Sequence, residues 1–174
     1  MLIKNGEIIT PFQQYIGDIL IEKDTIKAVG EKVGKEYDGE EVIDAKDLYV
    51  CPGFVDIHTH GGYGGDFMDA TDEAFLSALK FHSDSGTTSC LMSTVTAPID
   101  QIENMIAKAR EYMWKANGHA RPLGVHLEGP FLSVKNKGAQ HEKFLKIPKS
   151  DGYDFIAKNK YSGGLCRNKN QKKA

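Results

Sequence analysis

Residues 52–65 read PGFVDIHTHGGYGG, a short apolar run that ends in two histidines and passes into a glycine-rich loop. The run predicts a strand over 54–58, bounded by the punctuating glycines. His58 and His60 are two residues apart, so on a strand their side chains point to the same face. Because neutral imidazole is a common ligand of zinc and related metals, the motif indicates a metal site. Two capping or solvent-facing histidines would give the same pattern.

Strand and helix patterns alternate after this motif. Helices are predicted from the cap at Thr71 to about residue 85, and from Pro98 to the stop at Asn117-Gly118. Second and third strands are predicted over 87–95 and 122–128. Such an order is typical of an α/β fold with parallel strands and crossover helices. Because a (β/α)₈ barrel typically needs ~250 residues, the sequence holds at most the first three strands of one.

The first ~50 residues predict only β-structure. Short strands are expected at 2–4 and 7–10 around a tight turn at Asn5-Gly6, and a hairpin is expected around Lys23-Asp24. Further strands are predicted at 42–44 and 48–50. Because a set of short hairpins has little core of its own, this segment needs something to pack against.

A second motif, HLEGP at 126–130, places Glu128 at the end of the third predicted strand. A carboxylate there could be a metal ligand, an orienting group or a general base, or it could simply cap the next turn. Parallel strands end at one edge, so Glu128 is expected near His58 and His60. His126 is interpreted as structural. The following loop could contact a substrate, and Lys135 and Lys137 could attract an anion or remain solvated.

Composition is that of an ordinary globular protein, with 40% hydrophobic and 26% charged residues among 174. No apolar stretch approaches the ~20 residues of a membrane span and no leader pattern opens the chain, so a cytoplasmic protein without membrane contact is expected.

Cys51, Cys90 and Cys166 are an odd number without CxxC spacing, which argues against disulfides and a cysteine zinc site. No role is assigned to His82 or His119.

The segment 156–174 carries six basic and no acidic residues. Basic tails often bind nucleic acid, but this one contains a single aromatic residue, Tyr161, so nucleic-acid binding is not expected. The apolar pattern of the chain is lost here. An out-of-frame or damaged end is therefore the preferred interpretation, and a genuine basic interaction tail is the alternative.

Three segments together resemble the N-acetylglucosamine-6-phosphate deacetylases of the amidohydrolase superfamily. They are PGFVDIHTHG at 52–61, GTTS at 86–89, and HLEGPFLS at 126–133 with KGAQ at 137–140. The first marks the superfamily and the last is more specific. The resemblance covers about residues 1–155 and implies a small β-sandwich segment over 1–51 and the first part of a (β/α) barrel over 52–155; the atypical basic tail over 156–174 lies outside it.

The resemblance also implies an activity and a set of site residues. The reaction would be hydrolysis of N-acetylglucosamine 6-phosphate to glucosamine 6-phosphate and acetate. Glu128 would be a principal ligand of a divalent metal, with zinc expected and iron the alternative, and His58 and His60 would bind a second ion in some members. Ala139 and Gln140 would belong to the sugar-binding loop, and the full-length protein would form a homodimer.

The remaining metal-binding histidines and the catalytic aspartate of that family lie on later strands. The sequence therefore predicts a shortened chain that is inactive alone. Two other interpretations stay open. One is a different metal-dependent amidohydrolase of the cyclic amidase or deaminase class, and the other is a non-catalytic remnant with a basic binding tail.

Overall fold

The structure is a computed structural model that describes residues 1–115, 117–147 and 166–167. The chain divides into two compact units, Met1–Pro52 and Gly53–Ala174. Among the described residues, no helix is long and apolar enough to span a bilayer. Apart from Cys166–Arg167, the segment 156–174 lies outside the described residues, and so do residues 148–155.

A five-stranded sheet forms the first unit. The first strand pairs antiparallel with the second and parallel with the fourth and fifth, and the second pairs antiparallel with the third. The hairpin predicted at Lys23-Asp24 is therefore confirmed. The strands are β1 (Leu2–Ile9), β2 (Gln14–Glu22), β3 (Thr25–Gly30), β4 (Val42–Asp44) and β5 (Tyr49–Val50).

The tight turn predicted at Asn5-Gly6 is wrong, because β1 runs through both residues as one strand. The register against β2 shifts between Ile3 and Gly6, which marks a bulge. Asn5 takes a φ of 61°, and its backbone N–H donates to Asp18 Oδ1 at 3.1 Å. Its side-chain amide donates to Asp44 Oδ1 at 2.9 Å. The left-handed residue therefore bends a strand here and does not reverse the chain.

The second unit contains the alternating strands and helices that the sequence predicts. Its main sheet has four parallel strands, and a two-stranded hairpin occupies the predicted glycine loop. The elements are β6 (Phe54–Thr59), β7 (Gly61–Gly62), β8 (Gly65–Asp66), α1 (Asp72–Asp84), β9 (Thr87–Ser93), α2 (Ile99–Met113), β10 (Arg121–Leu127) and β11 (Cys166–Arg167). In order along the main sheet the strands are β11, β10, β9 and β6.

Local chemistry explains where the helices begin. The Thr71 hydroxyl accepts from the Ala74 N–H at 3.2 Å and so caps α1, as predicted. Pro98 is the N-cap residue of α2, which ends at Met113, a few residues before the predicted stop. Each helix buries one face against the sheet. The shared core is apolar and includes Phe67, Phe75, Leu79, Cys90, Met92, Ile102, Ile106, Val125 and Leu127.

Strand β6 differs from the rest of the sheet. It pairs with β9 on one side only within the described residues. Phe54, Val55 and Ile57 are 65%, 59% and 65% exposed, so the apolar run of this strand is largely open. The C-terminal end of the strand is better covered, since Thr59 is buried and hydrogen-bonded to His82 of α1 at 2.7 Å.

Tyr112 links α2 to the start of α1. Its side chain is 1% exposed, its ring lies 5.1 Å from that of Phe75, and its hydroxyl donates to Asp72 Oδ1 at 2.7 Å. Burial and the neighbouring Asp72 carboxylate raise the pKa of Tyr112 to about 12. Because the folded pKa is raised, the contribution to stability is complete below pH ~10 and is lost as the pH rises towards ~12.

We expect Tyr112→Phe to lower the free energy of unfolding by about 0.5–1.5 kcal/mol at pH 8, because it removes the partly buried hydrogen bond to Asp72 and keeps the ring. The variant should also lose less stability than the unmodified chain between pH ~10 and ~12. Urea denaturation across this range measures both effects. Tyr49→Phe, at an exposed position of β5, is the matched control and should leave the profile unchanged. An identical alkaline loss in the Tyr112 variant would contradict the assignment.

Candidate metal centre

Three predicted ligands meet at the C-terminal edge of the parallel sheet. His58 lies at the end of β6, His60 follows that strand directly, and Glu128 follows β10. One potential ligand atom from each residue lies within 4.8 Å of the others. Strand β9 separates β6 from β10 in the sheet, so the side chains meet across the end of an intervening strand. The structure thus brings together the residues of two motifs 70 positions apart.

One oxygen of Glu128 faces both histidines. His58 Nε2 is hydrogen-bonded to Glu128 Oε2 at 2.7 Å, and His60 Nε2 lies 3.3 Å from the same oxygen. The two imidazole rings are 5.2 Å apart. The histidine side chains are about half exposed, whereas the glutamate is mostly buried. An ion or a small molecule can therefore reach the group from solvent.

The donor set fits a divalent metal. Two imidazole nitrogens and one carboxylate oxygen are ligands of the kind that zinc and its neighbours accept. His60 Nδ1 is buried and has no hydrogen-bond partner in the part of the chain that the structure describes. On a tetrahedral ion three protein ligands leave at least one position open, which a further protein ligand or a water can fill.

Electrostatics favour an ionised carboxylate at this site. Burial raises the pKa of Glu128, but hydrogen bonds from His58 and Gln140 outweigh burial, so the pKa lies below its ordinary value. Burial also lowers the pKa of His126, and the nearby His58 lowers it further. An ionised carboxylate is the form in which Glu128 can bind a metal.

Thr94 holds the backbone of Glu128 in place. The Glu128 N–H donates to Thr94 Oγ1 at 3.0 Å, and the Thr94 hydroxyl donates to the Glu128 carbonyl at 3.1 Å. The Thr94 N–H donates to the His126 carbonyl at 3.0 Å, which continues the contact between β9 and β10. Sequence reasoning missed Thr94, because no motif marks a residue whose role depends on the neighbouring strand.

His126 packs against His58, one of the two histidines of the candidate site. It is buried, its Nδ1 is hydrogen-bonded to Ser93 Oγ at 3.0 Å, and its ring lies 4.3 Å from the His58 ring. Its position agrees with the structural role predicted for it. His82, to which no role was assigned, supports the same strand through its hydrogen bond to Thr59.

The loop after Glu128 returns to the site through Gln140. The Gln140 Nε2 donates to Glu128 Oε1 at 2.8 Å, and the Thr96 N–H donates to Gln140 Oε1 at 2.7 Å. Lys137 Nζ donates to the Gln140 carbonyl at 3.1 Å, so this ammonium already has a partner within the loop. Ala139 is exposed beside Gln140, and Lys135 is exposed further along the loop. The sugar contacts of Ala139 and Gln140 stay predictions.

Comparison with curated proteins finds deacetylases of amino-sugar phosphates, several of them named for N-acetylglucosamine 6-phosphate; the relative from Escherichia coli O157:H7, 34% identical over 97 residues, is named for N-acetylgalactosamine 6-phosphate. The N-acetylglucosamine-6-phosphate deacetylase of Bacillus subtilis is 36% identical over 171 residues, which cover 95% of this chain and 39% of that protein. The corresponding protein of Vibrio furnissii is 34% identical over 128 residues, with 72% of this chain and 31% of that protein covered. The chain therefore spans well under half the length of these relatives.

Solved structures give the same result. A deacetylase of this name from Mycobacterium smegmatis matches with a TM-score of 0.78 at 28% identity, covering 95% of this chain and 45% of that one. The corresponding structure from Thermotoga maritima matches with a TM-score of 0.73 at 31% identity, covering 90% of this chain and 39% of that one. The family model described as "Amidohydrolase family" matches residues 49–167, which include His58, His60 and Glu128. Since this match extends over more than half of the sequence, the chain belongs to the amidohydrolase family.

Proposed function

We propose that this chain supplies part of the active site of a metal-dependent deacetylase that acts on N-acetylglucosamine 6-phosphate. The reaction would give glucosamine 6-phosphate and acetate. The observation that carries the proposal is the convergence of His58, His60 and Glu128 at one edge of the parallel sheet. The names of the Bacillus subtilis and Vibrio furnissii relatives support the substrate, and so does a solved structure of a Mycobacterium smegmatis deacetylase variant in complex with N-acetyl-D-glucosamine-6-phosphate.

Each residue of the site has a defined task in this proposal. Glu128 and the two histidines would hold the ion, with zinc expected and iron the alternative. When bound, a divalent ion polarises the amide carbonyl and brings the pKa of the attacking water towards ~7. Glu128 stays ionised, and Thr94 fixes the backbone at which its side chain begins. The loop that carries Ala139 and Gln140 lies beside the carboxylate, where a bound sugar would be recognised.

The proposal extends to the architecture. The parallel strands β6, β9 and β10 would be the first three strands of a (β/α)₈ barrel, whose active sites form at the carboxyl ends of the strands. The five-stranded sheet would be part of a small β-sandwich. The predicted division of the chain stays a prediction: a β-sandwich segment over 1–51, a barrel segment over 52–155 and an atypical tail over 156–174. The homodimer and the cytoplasmic location also stay predictions. The described pair Cys166–Arg167 runs parallel to β10.

Zinc binding and activity test the proposal separately. We expect the purified 174-residue chain, stripped of metal with a chelator, to bind zinc in titration calorimetry and to release no acetate from N-acetylglucosamine 6-phosphate. The reason is that Glu128, the acidic member of the group, serves as a ligand and leaves no second carboxylate in the described site to act as a base.

A chimera gives the positive arm of the test. Residues 1–155 would be joined to the Bacillus subtilis relative from the position aligned with residue 156 onward. We expect this chimera to release acetate from N-acetylglucosamine 6-phosphate, while the 174-residue chain under the same conditions does not. A chimera that folds and binds zinc but leaves this substrate intact would contradict the proposed substrate.

A further inference from the structure

We propose that Gln140 is a positioning residue for Glu128. One carboxylate oxygen accepts a hydrogen bond from Gln140, and the other faces the two histidines of the metal site. This inference rests on the proposed metal site and deepens it. Gln140 Nε2 donates to Oε1 at 2.8 Å, whereas Oε2 faces His58 Nε2 at 2.7 Å and His60 Nε2 at 3.3 Å. The hydrogen bond from Gln140 to Oε1 fixes the orientation of the carboxylate, so that Oε2 stays directed at the two histidines.

The hydrogen-bond network fixes which end of the Gln140 amide faces the carboxylate. The backbone N–H of Thr96 can only donate, and it lies 2.7 Å from Gln140 Oε1. The ionised Glu128 carboxylate can only accept, so it must face the amide nitrogen. The opposite amide orientation would place two donors together at Thr96 and two acceptors together at Glu128. Both ends of the side chain therefore specify the same orientation.

The loop delivers Gln140 to this position through its own backbone. The Gln140 N–H donates to the Lys137 carbonyl at 3.1 Å, and Lys137 Nζ donates back to the Gln140 carbonyl at 3.1 Å. The glutamine is half-buried, in contrast to its exposed neighbour Ala139. These two hydrogen bonds already fix the backbone of the turn. The Gln140 side chain therefore loses little further conformational entropy when it contacts Glu128.

A purely sugar-binding role does not explain this arrangement. Each end of the Gln140 amide is bonded within the protein, and contact with a sugar hydroxyl, for which one N–H and one lone pair remain, would account for neither bond. Outer partners of ligating side chains orient the ligand, and their loss typically lowers metal affinity by ~10–100-fold. The contacts of Gln140 are those of such a partner.

The test uses the 174-residue chain with zinc or cobalt(II) as the probe. Gln140→Ala removes both contacts, and Gln140→Glu keeps the length and an acceptor for Thr96 but places a second carboxylate against Glu128. We expect the zinc dissociation constant, measured by competition with a chromogenic chelator, to rise ~10–100-fold in both variants. The visible absorption spectrum of bound cobalt(II) should also change, because it reports the geometry of the ligands.

Two controls separate positioning from loss of folding. Gln101→Ala makes the same substitution at an exposed position of α2 and should leave zinc affinity and the cobalt spectrum unchanged. Circular dichroism and thermal melting establish that each variant is folded. In the metal-free chain, the ¹⁵N resonance of His58 Nε2 reports its hydrogen bond to Glu128, and we expect it to shift in both Gln140 variants.

The possible failures are distinguishable. Unchanged zinc affinity, cobalt spectrum and His58 resonance in folded Gln140 variants would overturn the positioning role and leave the metal site intact. A parent chain that binds no zinc would overturn the proposed metal site. In that case the His58 resonance of the metal-free variants still decides whether Gln140 positions Glu128, with a shift supporting the role and no shift overturning it.

Discussion

Glu128→Gln is expected to remove most of the affinity of the chain for zinc. The substitution preserves the size of the side chain and the two Thr94 hydrogen bonds to the backbone. It replaces an ionised oxygen, which faces both His58 and His60, by a neutral amide. A carboxylate is a far better zinc ligand than an amide, so the loss should exceed the ~10–100-fold that outer partners typically cost.

Titration calorimetry of the metal-free chain with zinc measures this effect. Glu142→Gln is the matched control, since it makes the same change at an exposed glutamate of the following loop. We expect the control to bind zinc as the parent does and to melt at the same temperature. Equal zinc affinity in the Glu128 and Glu142 variants would show that the ion binds elsewhere.

Gly129→Ala is expected to destabilise the folded chain more than Tyr112→Phe or Gly138→Ala does. Gly129 has a φ of 81°, and a Cβ atom there would lie 2.3 Å from Thr96 Oγ1 and 3.1 Å from Thr96 Cα. Left-handed backbone costs other residues ~1–2 kcal/mol, and overpacking in a filled site costs a further ~1–3 kcal/mol. We therefore expect the free energy of unfolding to fall by about 2–5 kcal/mol, as measured by urea denaturation.

A second glycine of the same loop separates the two costs. Gly138 also has a positive φ, 59°, but a Cβ there would meet nothing within 4 Å. Gly138→Ala should therefore cost only the backbone strain of ~1–2 kcal/mol. Adding Thr96→Ala to the Gly129 variant removes the 2.3 Å contact and should recover part of the stability. Equal losses at the two glycines would refute the steric argument.

The order of the elements could be predicted because its signals are local. The Thr71 cap, the Pro98 start and the apolar strands each depend on a few neighbouring residues. The bulge at Asn5 could not be predicted in the same way. An Asn-Gly pair suits either a turn or a bulge, and the contacts that choose between them come from Asp18 and Asp44, far along the chain.

The candidate site was predictable to a similar extent. Two-residue spacing and the common end of parallel strands were enough to bring His58 and His60 towards Glu128. The residues that hold Glu128 were not predictable as such. Thr94 contacts it across a strand pair, and Gln140 contacts it through a loop whose closure depends on Lys137. Such roles arise from tertiary packing, which neither spacing nor residue type encodes.

The separation of the ligands along the chain has a consequence for folding. An ion shared by His58 and Glu128 ties together positions 70 residues apart, as a covalent crosslink would. In the unfolded chain such a tie would close a long loop at a considerable entropic cost, whereas in the folded sheet both ends are already side by side. The ion would therefore bind the folded state in preference, and its binding energy would serve as folding energy. The three side chains of the candidate metal site would then hold the ends of β6 and β10 together across β9.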